Sequence, residues 1–214
     1  MKKMILVILL FSFNAIALDQ NNAFEPGFSE YHLGYRYDGV STLMGEVGYG
    51  ASSWVNLYAF GNVSRGQATN GYRYGFGNLL NFNADRFDFD LMAGIYSQYY
   101  SGFSKSIWNL FSELEASYLA LDWSPYARVR VDVSIGRQST ALLFTAGVSW
   151  FAFASGEVLF EVQKQIKGSG LFTAMAGVNY LVFPALEVQA ALGWGSVWPS
   201  SGVVATLDLE YTLF

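Results

Sequence analysis

The chain has 214 residues, of which 52% are hydrophobic, 18% aromatic and only 14% charged, with a formal net charge of −5. The acidic balance leaves no basic patch for nucleic acid, and the lack of cysteine rules out a disulfide framework and thiol chemistry. So apolar a chain needs either a large core or lipid as its solvent, and 22 Gly, 14 Tyr and 18 Phe against four Pro favour strands and turns.

The amino terminus reads MKKMILVILLFSFNAIALDQ. Lys2 and Lys3 precede an apolar run from Met4 to Phe13, about ten residues long, which fits a signal-peptide core and is too short to span a bilayer. Ala15-Ile16-Ala17 has the small-x-small pattern of a cleavage site. The reading is a signal peptide over 1–17, a short periplasmic segment over 18–29 and a single domain over 30–214. Beyond Phe13 no run of 18 apolar residues occurs, so no transmembrane helix is expected.

From there the pattern changes to a period of two. The first predicted strand, YHLGYRY over 31–37, puts Tyr31, Leu33, Tyr35 and Tyr37 on one face, and Asp38-Gly39 is a hairpin signal. The second sets Leu43, Val47 and Tyr49 against Met44 and Glu46 before Ala51-Ser52-Ser53 turns the chain. The third sets Val55, Leu57 and Val63 against Trp54, Asn56, Tyr58 and Phe60, with both faces largely apolar. A Gly/Asn-rich loop over 66–71 follows. In the fourth strand Asn78 interrupts the alternation of Tyr72, Tyr74, Phe76, Leu80 and Phe82, which suggests a bulge. The fifth, RFDFDLMAGIYSQ, alternates Phe87, Phe89 and Leu91 with Arg86, Asp88 and Asp90; the longest loop is expected over 99–108. The sixth opposes Leu114, Ala116 and Tyr118 to Glu113 and Glu115, and a turn is expected over 122–125. The seventh, ARVRVDVSI, points Val129, Val131 and Val133 one way and Arg128, Arg130 and Asp132 the other.

The eighth strand carries Leu142, Phe144, Val148 and Trp150. The ninth sets Val158, Phe160 and Val162 against Glu161 and Gln163, and Lys167-Gly168-Ser169-Gly170 turns. The tenth runs from Phe172 to Val182 and stops at Phe183-Pro184. The eleventh sets Leu186, Val188, Leu192 and Trp194 against Glu187 and Gln189, and a loop is expected at Trp198-Pro199-Ser200-Ser201. The twelfth runs from Val203 to Leu213.

Apolar-out, polar-in segments of this length in an exported chain predict an all-β fold: one transmembrane antiparallel up-and-down β-barrel of about 12 strands, with both termini periplasmic. Ten strands stay open if the fourth or ninth segment is misread. The aromatics of the apolar face fall at strand ends, Tyr31, Tyr49, Tyr118, Trp150, Tyr180 and Tyr211 at one rim and Tyr37, Tyr72, Tyr74 and Trp194 at the other, as two interfacial girdles do.

The ending LDLEYTLF resembles the carboxyl-terminal signal of Gram-negative outer-membrane β-barrel proteins, an alternating strand that ends in Phe. In that group the final aromatic shares the lipid-facing phase; here Tyr211 and Leu213 carry the phase and Phe214 falls on the other face. The resemblance is to the porin-like class as an architecture. It implies an outer-membrane location, contact with membrane lipid and lipopolysaccharide, and handling by the barrel assembly machinery.

Inward positions decide function, because the lipid face needs only apolar surface. The candidate lumen residues are Glu46, Arg86, Asp88, Asp90, Glu113, Glu115, Arg128, Arg130, Asp132 and Glu161. Acids outnumber bases, so an open lumen would favour cations. Facing acids and bases on strands five to seven form either a selectivity wall or a self-neutralising mesh. Inward glycines at 34, 48, 94, 147, 177 and 193 suggest space, and inward Trp54, Tyr58, Phe60 and Tyr96 suggest filling. An enzyme is not expected: His32 is the one histidine and has no serine at a suggestive spacing. No metal or cofactor is expected, since one His and carboxylates beside Arg make a poor ligand set. The function expected is a passive channel for an unknown small solute with mild cation preference. The alternatives are a closed barrel acting through its outer loops and, with least support, a lipid-acting enzyme.

Overall fold

A computed structural model describes residues 27, 29–66, 70–101, 105–120, 122–135, 139–153, 155–167, 171–197 and 200–213. The expected signal peptide, most of the segment 18–29, and Phe214 lie outside the described residues.

Twelve strands form: β1 (Ser29–Tyr37), β2 (Ser41–Ser52), β3 (Val55–Arg65), β4 (Asn70–Ala84), β5 (Phe87–Tyr100), β6 (Ile107–Tyr118), β7 (Trp123–Ser134), β8 (Ser139–Phe153), β9 (Gly156–Lys167), β10 (Phe172–Phe183), β11 (Leu186–Val197) and β12 (Ser200–Leu213). Each pairs antiparallel with its sequence neighbours, and β1 pairs with β12 from Ser29↔Leu213 to Tyr37↔Ala205, which closes the barrel. Closure explains how an alternating strand can stand at the carboxyl end: its outer edge is hydrogen-bonded to the first strand.

The strands are staggered as a tilted barrel requires. One register line starts at Glu30 beside the chain termini, passes through Gly48, Tyr58, Gly77, Gly94 and Phe111, and reaches Asp132 near the other end by β7. Connections at the end that holds the termini are short, such as 85–86 and 184–185. Those at the far end are mostly longer, the longest spanning 101–106. The β11–β12 connection is shorter than the sequence suggests, residues 198–199 alone, because β12 begins at Ser200.

The barrel is inside out. Leu192, Phe76 and Val203 are 66%, 63% and 62% exposed on the outer face, while Arg36, Asn56, Arg128 and Glu161 are buried. Water would penalise so much exposed apolar surface; a bilayer would not. The two aromatic rims form, reinforced by stacking of Tyr72 on Tyr99 at 5.2 Å and Trp123 on Trp150 at 5.5 Å.

Three local expectations change. No bulge occurs at Asn78: β4 pairs with β5 without interruption from Gly71↔Tyr100 to Ala84↔Phe87, and Asn78 simply takes an outward position. The turn expected over 122–125 is already strand, since Pro125 sits at an outward position of β7 opposite Val148. Bulges do occur between β8 and β9: Ile166 is the extra residue on β9 between the Leu142↔Lys167 and Leu143↔Gln165 pairs, and β8 carries an extra residue between Trp150 and Phe153.

Candidate functional site

The site is the inner wall. Alternation places every second side chain of each strand there, and the registers decide which of them share a level. Glu113 pairs with Arg130 and Glu115 with Arg128 across β6 and β7. Arg128 Nε donates to Glu115 Oε2 at 2.6 Å and lies 3.3 Å from Glu113 Oε1. Arg130 Nε and Nη2 both donate to Asp132, at 3.0 and 3.1 Å, and Nη1 lies 3.6 Å from Glu113 Oε2. The sequence-derived cluster on strands six and seven is therefore one connected belt, with Arg128 only 3% exposed.

Aromatic rings complete that wall. Tyr96 donates from its hydroxyl to Asp132 at 3.0 Å, Arg73 lies over the Tyr96 ring at 4.6 Å, and Arg130 lies over Phe111 at 4.5 Å. Phe60 meets Phe111 and Tyr58 at ring separations of 6.1 and 5.9 Å. Tyr58, Phe60 and Tyr96 are thus filling, as one sequence reading had it. Trp54 is not among them: it stands in the β2–β3 turn, 60% exposed.

The inward glycines do not leave space. A Cβ on Gly94 would come within 2.7 Å of the Phe111 ring, and one on Gly77 within 2.7 Å of the Tyr58 ring. Tyr126 covers Gly147 in the same way, and Asp208 and Met44 cover Gly34. Each of these four glycines is a slot that a neighbouring side chain occupies against the sheet.

Other predicted lumen residues lie at the edge of the belt or beyond it. Asp90 pairs with Glu115 across β5 and β6 at the edge of the belt, where Asn81 donates to it at 2.7 Å, and Asp88 lies beyond it at the terminal end of β5. Arg86 is not a lumen residue. It occupies the tight β4–β5 turn beside Asp85, whose φ of 58° reverses the chain, so its side chain is exposed at the rim near the Tyr118 hydroxyl. Reading the turn as strand put it in phase with Asp88.

A second wall, from β9 through β12 and β1 to β2, is richer in acid. Glu157, Glu161, Glu187, Asp208, Glu210, Glu30 and Glu46 face inward there, against Arg36 and His32. Ser149 donates to Glu157 at 2.6 Å, Tyr126 to Glu161 at 2.8 Å, and Asn179 to Glu187. Arg36 donates to Asp38 at 3.1 Å. Sequence reading placed Glu46 and Glu161 in the site but missed Glu30 and Glu157, each the second residue of its strand, because both strands begin earlier than the apolar alternation shows. In all, twelve carboxylates and four guanidiniums occupy inward strand positions among the described residues: Glu30, Glu46, Asp88, Asp90, Glu113, Glu115, Asp132, Glu157, Glu161, Glu187, Asp208 and Glu210 against Arg36, Arg73, Arg128 and Arg130.

His32 lies between two of these acids, with Nε2 3.3 Å from Glu30 and Nδ1 3.7 Å from Glu210. Its ring nitrogens face carboxylates, so the arrangement is not that of a serine-activating base.

Solved structures share this architecture. The KdgM porin in complex with disordered oligogalacturonate superposes with a TM-score of 0.64 at 14% identity, covering 86% of this chain and 99% of that one. The COG4313 outer membrane channel from Pseudomonas putida F1 gives 0.68 at 8% identity, over 91% and 99%. The fold is that of solved outer-membrane channels. The transport unit of the Escherichia coli autotransporter AIDA-I shares it too, at 0.57 and 11% identity over 98% and 96%, so the architecture by itself does not assign the cargo. No protein-family model and no curated protein sequence matches the chain.

Proposed function

We propose that this protein is an outer-membrane channel that lets small solutes diffuse across the membrane and prefers cations. The observation that carries the proposal is the inverted barrel whose interior sets twelve carboxylates against four guanidiniums. A confined wall of one sign concentrates counter-ions and repels co-ions. The arginines of the β6–β7 wall are held by their own acids, so the surplus negative charge lies along β9–β12 and β1–β2, and cations pass there. KdgM was solved with a polyanionic sugar; an acid-rich interior disfavours such a cargo, and it is not carried over to this chain.

The proposed route through the interior is narrow. Barrels of 16–18 strands hold water-filled channels, whereas eight-stranded ones are filled by side chains. Here Tyr96 is 0% exposed and the arginine belt is buried, which supports a small unit conductance. The short connections at the terminal end support a periplasmic position for that end. Lys164 and Lys167, exposed near the far end of β9, then meet lipopolysaccharide phosphates. Export by the signal peptide 1–17 and insertion by the barrel assembly machinery belong to the same reading.

The first test is planar-bilayer recording of the refolded protein under a KCl gradient. Small stable steps with a cation-selective reversal potential are expected, and Glu46→Gln with Glu161→Gln moves that potential toward zero. A folded barrel that never conducts overturns the channel. It then supports a second reading, which the packed Tyr58–Phe60–Tyr96–Phe111 cluster favours: a closed barrel that acts through its outer loops.

A further inference from the structure

The seam where the chain closes on itself holds an unusual set of side chains. His32 of β1 stands directly opposite Glu210 of β12, and Glu30 opposite Thr212. The imidazole lies between the two carboxylates, and one donor atom from each of Glu30, His32 and Glu210 can be chosen so that all lie within 4.8 Å of one another. On its other side His32 pairs with Glu46 of β2. Three carboxylates therefore lie around one imidazole, and a dication offsets more of their charge than a single imidazolium does.

We infer that Glu30, His32 and Glu210 form a divalent-metal site of the zinc class that ties the first strand to the last. One imidazole nitrogen and two carboxylate oxygens supply three ligands of the tetrahedral set that Zn²⁺ prefers, with the fourth position left for water.

Asp208 adds negative charge beside the site. It is only 7% exposed, neither of its carboxyl oxygens has a hydrogen-bond partner, and it lies across the seam against Gly34. Gly34 and Asp208 are the next inward pair beyond His32 and Glu210, so this buried anion lies one level deeper than the triad. A buried carboxylate without a donor is costly, and a cation at the triad one level away lowers that cost by Coulomb attraction. The inference needs only the closed barrel and stands whether or not the barrel conducts.

The site was invisible in the sequence because Glu30 and Glu210 lie at opposite ends of the chain and meet only on closure. A bound metal links chain ends that no turn connects, so it stabilises the folded barrel by mass action.

The test uses the refolded barrel in micelles, stripped with EDTA and then titrated with ZnCl₂ by calorimetry and by thermal unfolding. One Zn²⁺ per barrel and a raised unfolding temperature are expected. Affinity falls by at least about tenfold in His32→Ala and Glu210→Gln. Asp88→Asn, a buried acid at the same end but on β5, keeps full affinity. Since His32 is the only histidine, wild-type protein gives a second readout that does not depend on a variant folding: ZnCl₂ slows modification of His32 by diethyl pyrocarbonate. No zinc binding, binding undiminished in His32→Ala, or His32 modified at the same rate with zinc would each overturn the site and leave the imidazole as an imidazolium bridge between the two glutamates. An equal response to MgCl₂ would assign the cation to the carboxylates alone and overturn the imidazole ligand.

Discussion

At the scale of single residues, the interior is organised by pairing a missing side chain with a large one. Gly147 gives the Tyr126 ring a place against the sheet, and Tyr126 then reaches Glu161 at 2.8 Å. Gly147→Val removes that slot and is expected to destabilise the barrel by about 1–3 kcal/mol. Urea unfolding in liposomes reads the loss, and Tyr126→Ala in the same chain relieves most of it. The arginine belt obeys a different rule. Arg128 lies between Glu113 and Glu115, so Arg128→Ala strands the buried Glu115 carboxylate, leaves Glu113 to Arg130 alone, and costs about 3–5 kcal/mol by the same measurement. Replacing Arg128, Glu113 and Glu115 together by similar-sized apolar residues costs far less, because no buried charge is left unpaired.

At the scale of elements, the period of two is the fold's main instruction. A strand with Leu207, Leu209 and Tyr211 outward and Asp208 and Glu210 inward satisfies lipid and lumen at once, and a shift of one residue would reverse both faces. Leu192, 66% exposed near the middle of β11, is expected to tolerate charge poorly. Leu192→Arg costs about 2–4 kcal/mol in liposomes, whereas Val182→Arg, at the rim end of β10, costs about 0–1 kcal/mol. Equal costs at the two positions would contradict the placement of the lipid band. Elements were also where the sequence was least legible at their ends. Alternation marks where apolar residues start, so β1 and β9 seemed to begin at Tyr31 and Val158, and the polar first turns that carry Glu30 and Glu157 were left outside. Asn78 broke the pattern without breaking the strand, because an uninterrupted ladder tolerates one polar outward side chain.

At the scale of the whole molecule, closure controls both stability and the site. An open twelve-stranded sheet would present two unsatisfied edges to lipid, which the bilayer does not tolerate. A chain truncated before Ser200 lacks β12 and is expected to aggregate rather than insert; liposome flotation, with the full chain floating and the truncated one sedimenting, checks this. Closure also gives the lumen two unlike walls. One is an arginine–acid belt packed with aromatics, the other an acid-rich face, and their difference is what makes a preference for cations arguable.

The sequence by itself determined the architecture, a strand number of about 12, which face of most strands meets lipid and most of the inward charges, because each of these follows from local alternation and from turns between neighbours. It read Arg128, Arg130, Glu113, Glu115 and Asp132 as one cluster, since adjacent strands bring residues of close sequence number together. Only the tertiary structure decided that the inward glycines are filled, that Arg86 belongs to a turn, and that Glu30, His32 and Glu210 meet. The physical reason is the stagger of a closed, tilted sheet: it sets the level of every inward side chain through twelve successive registers, and it joins the two ends of the chain by hydrogen bonds that no local pattern encodes.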